Sequence, residues 1–303
     1  MAKWTVADIP SQQGRSAVVT GAGGLGFENA LALARAGGEV IVASRNPEKG
    51  AAAVANIRNS APRANVRFER LDLASLESVA DFGERLRSER NSLDLLINNA
   101  GVMTPPTRQE TPDGFELQFA TNYLGHFALT NQLLPLLRKG EQARVVTLSS
   151  IAARNGAINF NDLNAQKSYK PMQVYSQSKL ACLMFSFELQ RRSEAAGWGV
   201  ASMAAHPGVS RTDLLHNAPG RWSAQGVMRS LLWFMFQPVS QGALPTLFAA
   251  TCPAAIPGAY YGPDKLSETR GAPAEAKTPP QALDVIASAR LWEVSQKLTG
   301  AQF

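Results

Sequence analysis

The strongest constraint on this chain is an alternation. For its first two-thirds, short apolar β-branched runs take turns with helical stretches. "SAVVT" (16–20) reads as a strand and "GFENALALARAG" (26–37) as a helix closed by Gly37. "EVIVAS" (39–44) is the next strand, and a helix starts at Pro47, a residue suited to a first turn. The series continues with a strand at 66–72, an amphipathic helix at 75–89, a buried strand at 93–100 and a long helix at 112–138. A strand at 143–150, a helix at 172–196 and a strand at 199–208 complete it. Such runs build right-handed βαβ units, so the pattern predicts a doubly wound parallel sheet with helices on both faces. After Pro207 the rhythm loosens. A stretch crowded with Trp, Met and Phe (210–237) precedes a helix at 240–251, a short strand "AYYG" (259–262), a Pro/Ala-rich loop (271–280) and a last helix (281–298). No linker divides the chain, so a single domain over 1–303 is expected.

The sequence "VVTGAGGLGFENA" puts glycines directly after the first strand and at the opening of the first helix. Gly21, Gly23 and Gly26 satisfy G-x-G-x-x-G, with Gly24 and Leu25 inside it. Glycines alone would suit any tight turn. Strand before and helix after is the setting in which a backbone approaches a pyrophosphate at a helix N-terminus. The expectation is a Rossmann fold with a dinucleotide-binding and catalytic core over about 12–208. Ser44 ends the second strand where NAD binders carry an acid for the ribose hydroxyls, and Arg45 follows. An acid would repel a 2′-phosphate and an arginine can clamp one, so NADP(H) is expected over NAD(H). The plainer reading of Arg45 is a solvated loop arginine.

Composition narrows the alternatives. At 303 residues and 45% apolar content, no run approaches the ~20 apolar residues of a membrane span. The longest candidate is "LLWFMF" (231–236), and "MAKWTVADIPSQQGR" has no signal-peptide core, so a cytoplasmic location is expected. Cys182 and Cys252 read as core thiols rather than a disulfide. The net charge is +6, but the basic residues are scattered, which suits an anionic small molecule better than nucleic acid. His126, His206 and His216 lack metal spacing, and no metal is expected. His126 reads as part of an internal helix face.

"YSQSK" (175–179) sets Tyr175 one helical turn ahead of Lys179, so both share a face. A free phenol titrates near ~10. Acid–base work near neutrality needs the phenolate favoured, and a neighbouring cation supplies part of that. On a solvated helix the same spacing would mean nothing, so the pair gains weight only from its company.

That company is "NNAG" (98–101), "TNYLGHF" (121–127), "VVTLSS" (145–150), "YSQSK" and "HPGVSRTDL" (206–214), in order behind the glycine loop. Together they resemble the short-chain dehydrogenase/reductase family from about residue 12 to 262. The segments 158–189 and 291–300 resemble its retinol-dehydrogenase-like branch more narrowly. The resemblance implies that Tyr175 donates or accepts the proton. It implies that Lys179 assists Tyr175 and bonds the nicotinamide ribose, that Ser150 (less well Ser149) holds the carbonyl oxygen, and that Asn122 anchors a water relay. It places Asp72 and Leu73 by the adenine, and Asn99, Ala100 and Gly101 along the cofactor. Pro207, Ser210 and Thr212 fall by the nicotinamide carboxamide. The glycine loop is one residue shorter than the family's T-G-x-x-x-G-x-G. Tyr175 follows Ser150 by 25 positions, as in the retinol-dehydrogenase-like branch, and Ser210 stands where an apolar residue is usual.

These residues imply an NADP(H)-dependent carbonyl reductase or alcohol dehydrogenase acting on a ketone, aldehyde or alcohol. The stretch at about 209–240 reads as a helical substrate cap, with C-terminal helices and the last strand at 241–303. The cap's Trp, Met and Phe suit a bulky apolar substrate, a surface covered by a second subunit or a membrane-touching helix. The family often forms homodimers through the helices that carry Asn122 and Tyr175. Two other functions share the fold: a catalytically silent dinucleotide sensor or scaffold, and reduction of a carbon–carbon double bond.

Overall fold

The computed structural model describes residues 3–210 and 237–303. Most of the expected cap, with Thr212 and His216, lies outside the described residues.

β1 (Ser16–Thr20), β2 (Glu39–Ser44), β3 (Val66–Arg70), β4 (Leu95–Asn98), β5 (Arg144–Leu148), β6 (Ala201–Ala205), β7 (Tyr260–Lys265) and β8 (Arg270–Glu275) form one sheet. Their order is β3-β2-β1-β4-β5-β6-β7-β8. Every pairing from β3 to β7 is parallel, and only β8 runs antiparallel, on β7. All five residues of β1 and all four of β4 are buried, as parallel strands covered on both faces require.

The helices start where sequence chemistry places them. α1 (Gly24–Arg35) follows the glycine loop. α2 (Pro47–Ser60) has Pro47 in its first turn, and the Asn46 side chain accepts from Lys49 N at 2.7 Å. α3 (Leu76–Glu89) is capped by Ser75. Two core clusters result, one on each face of the sheet. Cys182 and Cys252 are free and buried.

Two expectations need correction. The long helix does not begin at 112. Thr111 and Gly114 form a turn, with Gly114 at φ 81°, and Glu110 bridges Glu116. Helix begins as α4 (Leu117–Phe119), with the Glu116 carboxylate accepting from Phe119 N at 2.7 Å. One π turn (Ala120–Leu124) joins it to α5 (Gly125–Leu137). The stretch at 271–280 is not all loop, because β8 occupies its first part. Gly271 and Pro273 hide that strand from a propensity reading, and an edge strand tolerates both.

The helices that carry Asn122 and Tyr175 are largely buried within the chain. α6 (Pro171–Ala196) is buried along most of Val174–Gln190. α7 (Val239–Gly242) and α8 (Leu244–Thr251) lie across the sheet from it. α9 (Val285–Thr299) opens on an Asp284 cap and packs on α5 and α6. Trp292 lies 5.0 Å from the Phe127 ring and 5.8 Å from the Phe185 ring, and Phe303 closes the stack at 4.4 Å from Trp292. Tyr123 and Ser295 share a hydrogen bond at 2.7 Å. Trp292 is 1% exposed, and truncating an indole in so filled a site removes both its burial and its packing. Trp292→Ala is expected to cost about 3–5 kcal/mol, read as a lower urea midpoint at unchanged slope. A loss under about 1 kcal/mol would mean that α9 is not part of the folded core.

Candidate active site

The sheet order reverses between β1 and β4, and ligands of open α/β sheets bind beside the strand ends at such a point. Here the two strand ends are tied by one side chain. Thr20 Oγ1 accepts from Asn99 N at 2.8 Å and Ala100 N at 2.9 Å, and Asn99 Nδ2 donates to Thr20 O at 2.7 Å. Gly21, at φ 94°, turns the chain away from β1. A Cβ on Gly26 would lie 2.2 Å from the Gly21 carbonyl oxygen, so helix and loop touch through bare backbone. The loop therefore keeps the close strand–helix approach of a pyrophosphate cradle although it is one residue short, and the residues present fit a dinucleotide.

Around that cradle the expected residues fall into three groups. Leu25, Asn99, Ser150, Tyr175, Lys179, Pro207 and Ser210 line one cavity of about 190 Å³. Tyr175 and Lys179 are 7% and 6% exposed on one face of α6. Lys179 Nζ donates to Leu148 O at 3.0 Å, and Ser149 Oγ donates to Lys179 O at 2.8 Å. That bond commits Ser149, 3% exposed, to the helix. Ser150, partly exposed, caps a 3-10 turn (Ile151–Asn155) and accepts from Ala152 N at 3.2 Å. Ser210 Oγ turns away to Pro207 O at 2.9 Å, so it meets the cavity mainly through its backbone.

Asn122 is buried and does not line this cavity. Its Oδ1 accepts from Val102 N at 2.7 Å, and its Nδ2 donates to Val102 O at 3.0 Å and Ser178 Oγ at 2.9 Å. Its carbonyl accepts from His126 Nδ1 at 2.9 Å and Cys182 Sγ at 3.1 Å. That carbonyl thus has two protein donors. Gly101 sits against the same group: a Cβ there would lie 3.0 Å from Asn122 Oδ1 and 3.6 Å from Lys179 Nζ.

Ser44, Arg45, Asp72 and Leu73 stand apart, at the ends of β2 and β3. Ser44 Oγ donates to Asn46 O at 3.3 Å, and Asp72 Oδ1 accepts from Ala74 N at 3.0 Å. Leu73 is buried. Arg45 is exposed, and it has no carboxylate partner among the described residues.

Of the apolar lining, Met103 and Ile151 fall in the stretches 102–107 and 151–160 from which the sequence suggests that the pocket takes its shape, whereas Met172, at a helix start, gave no such signal. Sequence reasoning also missed Thr20, whose place in "VTG" before the first glycine was the available signal. Among the described residues no group of three or more His, Cys, Asp or Glu could hold a metal ion, and no helix is long and apolar enough to cross a membrane.

Comparison with known proteins agrees with this geometry. The sequence model described as short chain dehydrogenase matches residues 15–221. Mouse retinol dehydrogenase 13 is 41% identical, over 97% of this chain and 85% of its own. Mouse polyprenol dehydrogenase is 39% identical, over 97% and 86%. A crystal structure of an uncharacterized protein from Mycobacterium paratuberculosis superposes with a TM-score of 0.83 at 39% identity, covering 100% of this chain and 99% of that one. The chain belongs to the short-chain dehydrogenase family, in its retinol-dehydrogenase-like branch. It is an oxidoreductase of a family that works with a nicotinamide dinucleotide.

Because the Gly26 contact is backbone to backbone, no side-chain rearrangement can relieve it. Gly26→Ala is expected to weaken NADPH binding at least ~10-fold, about 1.4 kcal/mol, in a fluorescence titration. Unchanged affinity would show that the loop does not carry the dinucleotide.

Proposed function

We propose that this protein transfers a hydride between NADP(H) and a bulky apolar ketone, aldehyde or alcohol, with Tyr175 as general acid or base. The observation that carries the reading is the meeting of Tyr175, Lys179 and Ser150 in one cavity at the strand ends beside the glycine loop. A bound nicotinamide would supply or accept the hydride there. The glycine loop, Asn99, Ala100 and Gly101 would hold it, and Pro207 and the Ser210 backbone would meet its far side.

The chain's own residues do the rest. A substrate oxygen between Ser150 and Tyr175 gains negative charge during reduction, and the two hydroxyls stabilise it as preplaced donors. Tyr175 gives up its proton to that oxygen, and the Lys179 ammonium stabilises the charge left on the phenol. In oxidation Tyr175 takes the proton back. Asn122 fixes Val102 beside Gly101, and through Ser178 it steadies the helix turn that carries Lys179.

Apolar lining at Leu25, Met103, Ile151 and Met172 supports a bulky apolar substrate, as do relatives named for retinol and polyprenol. Arg45, exposed beside the ribose end of β2, supports the 2′-phosphate reading. A silent dinucleotide sensor would need no such hydroxyl–phenol–ammonium set.

Two variants test the proposal. Tyr175→Phe is expected to bind NADPH as wild type does while its turnover of a retinal or long-chain aldehyde panel falls at least ~100-fold. Equal turnover would remove Tyr175 from the chemistry, and no turnover in wild type across the panel would favour the silent reading. Wild type is expected to bind NADPH at least ~10-fold tighter than NADH, and Arg45→Ala to lose that margin. Equal affinities in wild type would overturn the NADP(H) assignment.

A further inference from the structure

His126 is a buried titratable side chain with no part in the proposed chemistry. It is 2% exposed on α5, one turn after Asn122. Its Nδ1 lies 2.9 Å from the Asn122 carbonyl oxygen and its Nε2 lies 2.9 Å from Thr20 Oγ1.

The hydrogens on this path can be assigned from chemistry alone. A carbonyl only accepts, so Nδ1 carries a hydrogen. Burial, the largest influence, holds the imidazole down at about 4, so near neutrality the ring has one N–H and Nε2 is a bare lone pair. Thr20 must then donate to it. The Thr20 oxygen already receives Asn99 N and Ala100 N, and its hydroxyl hydrogen is left to point at His126; its other neighbour, Ile97 O, is farther at 3.3 Å. The ordered path runs Asn99 and Ala100 N–H to Thr20, Thr20 O–H to His126, and His126 N–H to Asn122 O.

Both ends of the path matter. At one end are the backbone groups of residues 99 and 100, beside the glycine loop. At the other is Asn122, which binds Val102, Ser178 and Cys182. The π turn Ala120–Leu124 sits at this point of the helix, a distortion that recurs at functional sites.

We propose that His126 is a positioning residue for the dinucleotide site, holding the 99–101 wall and Asn122 in register through one Nδ1–H tautomer. The inference rests on the reading that this wall lines the dinucleotide. His126 touches neither cofactor nor substrate; it acts through Thr20 and Asn122.

Three variants separate the two arms. His126→Phe keeps the ring and removes both bonds. His126→Asn places an amide near the Nδ1 position, able to donate to Asn122 O but not to reach Thr20. His126→Gln reaches toward Thr20 and leaves Asn122 O unserved. NADPH affinity by fluorescence is expected to fall ~10-fold or more in the Phe variant and to recover in part in the Asn or Gln variant. ¹⁵N-histidine NMR of the wild type is expected to show His126 as the neutral Nδ1–H form, unchanged from pH 8 to pH 5. The proposal is overturned if the Phe variant binds NADPH as tightly as wild type, if both amide variants bind no better than Phe, or if the ring titrates near 6.5 or carries its hydrogen on Nε2. Should the Phe variant not fold, the amide variants against wild type and the wild-type spectrum decide. A wild type that binds no dinucleotide overturns the cofactor reading and this inference with it, whereas tight wild-type binding with an indifferent Phe variant overturns the inference alone.

Discussion

The Lys179 ammonium is the group whose needs the surrounding fold meets. It is 6% exposed and forms no ion pair with a carboxylate among the described residues. A buried cation is costly unless its donors find acceptors. Lys179 has three, and the described protein supplies one acceptor, Leu148 O at the end of β5. Its own carbonyl accepts from Ser149 on the same strand end, so the residue is tied to β5 through both side chain and backbone. The two ties fix the register of α6 on the sheet, and with it the place of Tyr175. The donors left over face the cavity that Lys179 lines, where the proposed dinucleotide would offer them ribose oxygens.

The sequence makes the parallel part of this fold readable for a physical reason. β1 and β2 are buried on both faces, so their β-branched runs end where the strands end, and the limits read for 16–20 and 39–44 are those observed. Where burial is one-sided or local turns intervene, the signal fades. Pro112 and Gly114 sit in a turn before the helix, and the apolar run alone cannot tell a turn from a helix start. Tyr175, Lys179 and Ser150, which line one cavity, could be singled out because the proposed chemistry would demand residue types at set positions. Thr20 and His126 could not, because their roles lie in bonds to backbone atoms 79 and 4 residues away, which no residue-type pattern records.

The C-terminal helix shows the same limit from the other side. The sequence announced a last helix but not the surface that it would cover. Trp292, Phe303 and Ser295 settle on α5, α6 and the π turn, where Phe127, Phe185 and Tyr123 leave an aromatic surface. Burying those rings against its last helix gives the chain an apolar gain of its own. The helices carrying the candidate catalytic residues are therefore held from both sides within one chain.

The outer edge of the cavity depends on the strand that was hardest to read. Leu266, Ser267 and Glu268, between β7 and β8, all have positive φ (49°, 54° and 66°), a conformation costing roughly 1–2 kcal/mol for each side-chain-bearing residue. Such a hairpin persists only if its contacts offset that cost. Glu268 provides them: its carboxylate meets Arg154 at 2.5 Å, His206 Nε2 at 3.0 Å and Lys277 N at 2.9 Å. Arg154 belongs to the turn that follows Ser150, and His206 leads into the 207–210 loop. Thr269 O accepts from Val209 N at 2.8 Å and leaves no room for a side chain on Gly208. The antiparallel strand thus brings a strained tip to the point where the Ser150 turn and the 207–210 loop meet. The strain is repaid by fixing both relative to each other.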